Sequence, residues 1–287
     1  MVHYLSVCAI FKNEASYLEE WLTFYELIGV DHFYLYNNNS DDDFASVLAP
    51  WVARGRVTLT GWPQHPGQLK AYGHCIINRR RESRWIMFVD LDEFLFSPTE
   101  QMLPKILAGY ERSVGVGANW VMFGSSGHQT RPPGLVTLNY TRRAGLAFKA
   151  AEPELLLPGG KPDNIRHYRP ISTHIKSIVD PRQVIQVASP HSFGFAGGAL
   201  AVDERWQPIT GTPLNAFTAA PSIEVLRVNH YFAKSLEEYT AKLTRPRADS
   251  GTSYPVRWFL EREKRSNELV DETILPIARQ VAAKLGV

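Results

Sequence analysis

Short apolar runs alternate with more polar stretches through roughly the first third of the chain. The apolar runs predict four strands, over residues 4–10, 32–36, 56–62 and 85–89. The stretches between them predict three helices, over residues 18–28, 44–52 and 68–81. Strands that alternate with single helices pair in parallel, because each helix carries the chain back along the sheet. The pattern therefore predicts the α/β class, with a Rossmann-like nucleotide-binding half at the start of the chain.

The fourth predicted strand is wholly apolar and ends abruptly in Asp90-Leu91-Asp92-Glu93. A short run without polar residues is typical of a central strand that is buried on both faces. The carboxyl ends of such strands form the edge at which open α/β sheets bind ligands. Asp90 and Asp92 are two residues apart, so their carboxylates can share a face or converge, and paired carboxylates suit Mg2+ or Mn2+. The structural alternative is a strand that ends in a solvated acidic turn.

The second part of the chain is less regular, with Gly and Pro clusters over residues 124–134 and 152–170. Short strands are predicted over residues 120–123, 175–179, 184–187 and 225–228, and a helix is predicted to begin near Ser235. Residues 256–285 predict a helical tail, in which Thr273 caps a helix whose first turn contains Pro276.

Bulk properties exclude several classes of protein. The 287 residues carry a net charge of only +2, which argues against nucleic acid as the main partner. Cys8 and Cys75 both fall in apolar segments, so we expect them to be buried, reduced and inert. The chain shows no secretory leader and no apolar run long enough to span a bilayer. We therefore expect a soluble, cytoplasmic protein, and docking on the inner face of a membrane stays open.

Two polar loops follow the first two predicted strands. They are Lys12-Asn13-Glu14 and the seven residues from Asn37 to Asp43. At the same sheet edge as Asp90, these loops could grip a base and a ribose. Helix capping is the structural alternative, by Asn13 for the first helix and by Ser40 or the aspartates after it for the second. Seven polar residues are more than one cap requires.

Histidines at strand ends supply further candidates. His230 precedes a predicted helix start and Lys234, an arrangement that suits a metal ligand next to an anion site. His191 also follows a strand but has no adjacent cation. A lone histidine after a strand is more often structural, and His191 is the weaker candidate of the two. His128 and Arg131, in the Gly-rich loop, would suit acceptor binding or belong to an ordinary exposed loop.

Taken together, several of these segments resemble glycosyltransferase family 92 and related bacterial proteins grouped with glycosyltransferase family 2. The segments are CAIFKNE at residues 8–14, YNNNSD at 36–41, FVDLDEF at 88–94, and NHY and KSLEEY within 229–239. The resemblance covers about residues 4–245. It implies a GT-A fold, with a nucleotide-sugar-binding half over residues 1–96, an acceptor half over 97–245 and a C-terminal helical extension over 246–287.

The resemblance also implies an activity. The expected reaction moves a sugar, with inversion, from a nucleotide-sugar, usually a UDP-sugar, to a glycan or lipid-linked acceptor. Mn2+ or Mg2+ is the expected cofactor. Because we expect a soluble chain without a membrane anchor, the setting that we expect is the synthesis of a bacterial-type surface polysaccharide or a lipid-linked glycan. The sugar itself is not carried over, because no residue in the sequence indicates it.

By the same resemblance, Asp90 contacts the ribose and the metal ion, Asp92 ligates the metal, and His230 is the later metal ligand. His191 is the alternative ligand, and Lys234 lies near the diphosphate. Residues of the two polar loops hold the uracil and ribose: Lys12, Asn13, Glu14, Asn37, Asn38, Ser40 and Asp41.

An inverting transferase also needs a general base for the acceptor hydroxyl. The candidates in the second half of the chain are Glu152, Glu154, Asp163 and Asp203. We prefer Asp163, because flexible loops in that region could close over donor and acceptor.

Two other functions fit part of the pattern. A haloacid-dehalogenase-type phosphatase also has two aspartates after an apolar strand, but there the motif opens the chain, whereas three predicted strands precede Asp90 here. A non-catalytic module that binds a nucleotide-sugar or a glycan could share the whole scaffold. Donor hydrolysis that a chelator abolishes would favour the enzyme, and binding without turnover would favour the module.

Overall fold

The computed structural model describes residues 3–149, 169–243, 247–251, 259–260 and 263–287. Its strands include β1 (His3–Phe11), β2 (His32–Asn37), β3 (Val57–Gly61), β4 (Ser83–Phe88), β5 (Glu93–Phe96), β6 (Gly115–Met122), β7 (Arg142–Arg143), β8 (Ile175–Val179), β9 (Val184–Val187), β10 (Phe193–Phe195), β11 (Val202–Asp203), β12 (Arg227–His230) and β13 (Leu269–Val270). Its helices include α1 (Ala15–Leu27), α2 (Phe44–Ala53), α3 (Gln68–Arg79), α4 (Leu103–Leu107), α5 (Val136–Asn139), α6 (Leu236–Leu243) and α7 (Leu275–Leu285). The alternation of four strands and three helices predicted for the start of the chain is confirmed.

One mixed and mainly parallel sheet organises the molecule, in the order β3-β2-β1-β4-β8-β6-β12-β5, with β11 paired to β6. The first four strands of this order run parallel to one another. Strand β8 lies antiparallel between β4 and β6, and Phe88 at the end of β4 pairs with Ser177 near the start of β8. The start of β8 therefore lies at the carboxyl edge of β4, where ligands bind in open α/β sheets.

The sheet is buried on both faces, as predicted for its central strand. Every residue of β4 is buried. Successive residues of β1 point to opposite faces, so Val7 and Ala9 belong to the apolar cluster that includes α1, whereas Cys8 belongs to the cluster that includes α3. Cys8 and Cys75 are buried and form no disulfide. This two-sided packing fixes the position at which the chain leaves β4.

The apolar residues after Asp92 form a strand that the sequence pattern does not predict. Strand β5 pairs antiparallel with β12, and His230 lies opposite Glu93. Glu93 is therefore an inward-facing strand residue and not a third carboxylate of the turn. The same pairing brings the end of β12 beside the turn that follows β4.

The prediction of a continuous helical tail is wrong for the residues that the structure describes. Helix α7 takes up only the last part, and β13 pairs with β7 before it. The carboxylate of Asp271 accepts hydrogen bonds from Arg143 and Arg227, which holds the chain extended at this point. Pro276 does lie in the first turn of the helix, but Ile274, not Thr273, is its N-cap residue.

Helix α7 packs into the main apolar core, where Ile277 and Val281 join the same cluster as Leu18 and Trp21 of α1. The division of the chain at residue 245 stays a prediction. Among the helices in the described ranges, none combines the length and apolar character needed to cross a bilayer.

Candidate active site

Asp90 and Asp92 occupy the tight turn between β4 and β5. The Asp90 carbonyl accepts a hydrogen bond from the Glu93 amide at 3.1 Å, and the Glu93 carboxylate accepts one from the Asp90 amide at 2.8 Å. Glu93 thus closes the turn through two hydrogen bonds with the main chain of Asp90. The prediction that the two aspartates lie at the carboxyl edge of a buried strand is confirmed.

The carboxylate of Asp90 accepts hydrogen bonds from two elements. Its Oδ1 atom lies 2.7 Å from Nε2 of Gln68 and 3.3 Å from the hydroxyl of Tyr72, both on α3. Its Oδ2 atom lies 2.7 Å from Nζ of Lys176, on β8. The side chain is still 33% exposed, so Asp90 is fixed in orientation yet accessible.

Lys176 and Glu93 form a buried ion pair below Asp90. Their Nζ and Oε2 atoms are 3.1 Å apart, and both side chains are 0% exposed. Burial raises the pKa of Glu93 to about 7, against the opposing charge of Lys176. Burial would lower the pKa of Lys176, but Asp90 and Glu93 together raise it, so the ammonium stays charged. Sequence reasoning missed Lys176, although a charged residue inside the predicted strand 175–179 was a local signal.

Asp92 has a different neighbour at each oxygen. Its Oδ1 atom lies 3.6 Å from Nε2 of His230, and its Oδ2 atom lies 2.6 Å from Nζ of Lys242 on α6. Burial would raise the pKa of Asp92, but Lys242 and His230 hold it well below its usual range. Nδ1 of His230 is buried and has no hydrogen-bond partner among the described residues. Lys242 was also missed, because its position on a helix resembles that of an ordinary surface lysine.

His191, the alternative ligand, is engaged elsewhere. Its Nδ1 atom lies 3.0 Å from the carbonyl oxygen of Ile175, which must accept, so this nitrogen carries the proton. Burial holds the pKa of His191 well below its usual range. Its ring contacts Trp120 edge-on, and Trp120 also contacts His230 at 4.4 Å between centroids. In the described part of the chain, His191 forms no hydrogen bond or ion pair with either aspartate of the turn.

A metal ion would find two suitable ligands here. Carboxylate oxygens suit Mg2+ and Mn2+, and imidazole is a common metal ligand, so Asp92 and His230 fit such an ion. Asp90 is turned toward Lys176 and Gln68 instead. Within the described ranges, no group of three or more His, Cys, Asp or Glu side chains is arranged to hold a metal. Asp92 and His230 would hold such an ion only together with further ligands from water or a bound substrate.

The two polar loops at this edge are bonded to each other. The Asn13 amide donates to Oγ of Ser40, and Oδ1 of Asn13 accepts from the Asp41 amide, both at 3.0 Å. Oδ1 of Asn37 accepts from the Ser40 amide at 2.9 Å. Oδ2 of Asp42 accepts a hydrogen bond from the Ala15 amide, at the start of the first helix, at 2.7 Å. The structural alternative, in which Asn13 caps the first helix, is not what the structure shows, because Glu14 is the N-cap residue and Asn13 bonds to the second loop instead.

Asn38, Lys12 and Glu14 do not take part in the hydrogen bonds between the two loops described above. The Asn38 side chain is buried and donates to the carbonyl oxygens of Trp62 and Gln64, at 2.6 and 2.8 Å. This amide holds the loop after β3. Lys12 is half-buried, and Glu14, also half-buried, is the N-cap residue of α1.

Lys234 lies close to the acidic turn. It is buried, and its ammonium sits over the ring of Tyr17 at 3.8 Å. Burial lowers its pKa, and the charges of Glu14 and Asp92 oppose that effect. Arg131 lies over the same Tyr17 ring at 4.6 Å, so the Gly-rich loop packs against α1. His128 contacts the ring of Tyr140 edge-on.

The predicted general base, Asp163, lies outside the described residues, as do Glu152 and Glu154. Asp203 is placed away from the turn. It pairs with Gly117 of β6, whereas His230 pairs with Met122 of the same strand, a separation of roughly 16 Å along the strand. Its Oδ1 atom accepts the backbone amides of two residues in the loop after β11, Arg205 and Gln207.

Comparison with known proteins identifies relatives of the chain. The model of the family "Glycosyltransferase family 92" matches residues 3–285, which extends the resemblance beyond residue 245 to the tail. A glycosyltransferase family 92 protein of Oryza sativa subsp. japonica is 35% identical over 145 residues, which cover 49% of this chain and 25% of that protein. A family 92 protein of Ricinus communis is 30% identical, over 49% of this chain and 26% of its own length. A galactan beta-1,4-galactosyltransferase of Arabidopsis thaliana is 24% identical, over 33% of this chain and 20% of that protein. The chain spans about a quarter of the length of the curated relatives it matches.

Solved structures give more distant resemblances. S. aureus TarS, residues 1–349 in complex with UDP, matches 62% of this chain and 47% of its own, with 15% identity and a TM-score of 0.38. Glucosyl-3-phosphoglycerate synthase from Mycobacterium tuberculosis, in complex with Mn2+ and UDP-glucose, matches 41% of this chain and 44% of its own, with 17% identity and a TM-score of 0.31.

Proposed function

Because this chain belongs to glycosyltransferase family 92, we propose that it transfers a sugar from a nucleotide-sugar donor to a hydroxyl group of a glycan or a lipid-linked acceptor. We take the donor to be a UDP-sugar, the cofactor to be Mn2+ or Mg2+ and the reaction to be inverting. The observation that carries the proposal is the pair Asp92 and His230, 3.6 Å apart, beside Asp90 at the carboxyl edge of the central strand.

The roles of the residues follow from their surroundings. Asp90, whose orientation Gln68 and Lys176 fix, accepts the ribose hydroxyls of the donor. Asp92 and His230 hold the metal ion. The ammonium of Lys234 supplies positive charge near the departing diphosphate. A metal ion bound by this pair would act as a Lewis acid on the diphosphate oxygens.

The base and ribose of the donor lie along the two bonded loops. Asn13, Asn37, Ser40 and Asp41 fix the shape of this edge through their mutual hydrogen bonds, so that exposed groups of the loops contact the nucleotide. Asp163 remains our choice of general base for the acceptor hydroxyl. The galactosyltransferase names among the relatives support a hexose as the transferred sugar.

A donor assay tests the proposal. We expect the purified chain to release UDP from one of a panel of UDP-sugars in Mn2+ buffer, and to lose that activity with EDTA or in Asp92→Asn. Asp31→Asn is the matched control, because Asp31 accepts backbone amides at the start of β1, away from this edge. Binding of UDP without turnover of any donor, over a range of acceptors, would contradict the transferase and favour a non-catalytic binding module.

A further inference from the structure

Lys176 is a fully buried lysine with two carboxylate partners. Lysine is almost never fully buried unless it is paired. Its Nζ atom lies 2.7 Å from Oδ2 of Asp90 and 3.1 Å from Oε2 of Glu93. The shorter contact is thus made to the carboxylate that is exposed at the sheet edge. A lysine that only neutralised the buried Glu93 would not need that second, closer partner.

The topology explains how Lys176 reaches this position. It is the second residue of β8, the antiparallel strand between β4 and β6, and its neighbour Ser177 pairs with Phe88. Its side chain therefore emerges under the turn that follows β4. Strand β8 thus brings the positive charge of Lys176 to a turn that contains no cationic residue of its own.

Glu93 extends the same network to the backbone. Its Oε2 atom accepts the Asp90 amide at 2.8 Å, and its Oε1 atom accepts Nε1 of Trp120 at 2.8 Å. The ring of Trp120 in turn contacts His230. Lys176 and Glu93 together fix both the side chain and the main chain of Asp90.

We propose that Lys176 is a positioning residue, which holds the carboxylate of Asp90 in the orientation that receives the donor and does not itself touch the donor. This inference rests on the proposed function, because it requires Asp90 to contact a nucleotide-sugar. It names a determinant of donor affinity that lies 86 residues from Asp90 in the chain.

The test must remove the lysine without leaving a buried carboxylate unpaired, since that alone is strongly destabilising. The double variant Lys176→Met/Glu93→Gln meets this condition. Glu93→Gln alone is its reference, because it keeps Lys176 on Asp90. Arg84→Met is the matched structural control, because it removes a buried ion pair, Arg84 with Asp180 at 3.1 Å, at the start of β4.

The measurement is the dissociation constant of UDP by calorimetry in Mn2+ buffer, together with KM and kcat for the donor. We expect the double variant to raise the dissociation constant and the donor KM roughly 10- to 100-fold over Glu93→Gln, with a smaller effect on kcat, which is the range found for residues that orient the ligands of metal sites. Arg84→Met should lower the thermal midpoint and leave UDP binding unchanged. Lys176→Arg, which keeps the charge and displaces it, should weaken UDP binding in the same direction if the double variant does not fold.

Equal UDP binding by the double variant and by Glu93→Gln would overturn the positioning role while leaving the proposed function intact. Weaker UDP binding in Arg84→Met to the same extent would also overturn it, because the effect would then follow stability alone. A wild-type chain that binds none of UDP, GDP, CMP or ADP would overturn the proposed function, and this inference with it.

Discussion

Nζ of Lys242 lies 2.6 Å from one oxygen of Asp92, and Nε2 of His230 lies 3.6 Å from the other. The two contacts divide the carboxylate, with a fixed cation on Oδ2 and a potential ligand nitrogen beside Oδ1. Lys242 also donates to the carbonyl oxygen of Phe232, so its ammonium is anchored from two sides. Lys242 therefore fixes Asp92 through Oδ2 and leaves Oδ1 beside His230.

Substitution of Lys242 by Met should weaken metal binding. Without the ammonium, the Asp92 side chain loses both its orientation and the charge that favours its ionised form. We expect the Mn2+ concentration for half-maximal UDP binding to rise roughly 10- to 100-fold. Lys105→Met is the control, because it removes an exposed ion pair with Glu100 far from the turn. Tighter Mn2+ binding by Lys242→Met would mean that the lysine competes with the metal instead of supporting its ligand.

Two histidine variants separate the predicted metal ligand from its alternative. His230→Ala should remove a ligand and raise the Mn2+ requirement for donor turnover. His191→Ala should leave that requirement unchanged, because His191 is held by the carbonyl oxygen of Ile175 and forms no hydrogen bond with Asp92 in the described part of the chain. The measurement is activity against Mn2+ concentration. The reverse order of effects would assign the metal to His191.

Asn38 and Asp41 were both predicted to bind the nucleotide, and their surroundings predict different results. Asn38→Ala removes two buried hydrogen bonds to carbonyl oxygens, so we expect it to lower the free energy of unfolding by about 1–3 kcal/mol. Asp41→Ala removes an exposed side chain and should leave stability unchanged while weakening UDP binding. Urea unfolding and UDP titration of both variants check this. An Asn38→Ala variant that is as stable as the wild type but binds UDP more weakly would show that Asn38 contacts the nucleotide.

The buried Glu93 should make stability depend on pH. Its pKa rises from an ordinary 4.5 to about 7 in the folded chain. Between these values the unfolded chain has lost a proton that the folded chain keeps, so the contribution of Glu93 to stability falls as pH rises from 4.5 to 7. Glu93→Gln should remove this part of the pH dependence. Urea unfolding at pH 5 and pH 7.5 gives the change in the free energy of unfolding with pH for the wild type and for Glu93→Gln. The same change in both proteins would contradict the assignment.

The first half of the fold was predictable because its signals are local. An apolar run such as residues 85–89 specifies a buried strand by its own composition, and the turn residues after it specify where the strand ends. The carboxylates Asp90 and Asp92 were found in this way. The tail was predicted wrongly because the ion pairs of Asp271, which hold that segment extended, involve residues that lie far away in the sequence.

Two lysines of the site, Lys176 and Lys242, were not predictable for the same reason. Lys176 and Lys242 contact carboxylates that lie 86 and 150 residues away in the chain. A lone lysine in an apolar strand indicates a buried partner, but the sequence does not indicate which carboxylate that partner is. The sheet order, with β8 between β4 and β6, supplies that information.

Thermal shift with nucleotides tests the central claim most directly. The wild-type chain and Asp92→Ala would be heated with UDP, GDP, CMP or ADP, each with and without Mn2+. A ligand at a hundredfold excess over its dissociation constant stabilises the folded state by roughly 2.7 kcal/mol. A stabilisation of this size raises the midpoint of thermal unfolding measurably. We predict a Mn2+-dependent shift with UDP that Asp92→Ala abolishes. A chain that no nucleotide stabilises, or an equal shift in both proteins, would contradict a metal-assisted nucleotide-sugar site at Asp92.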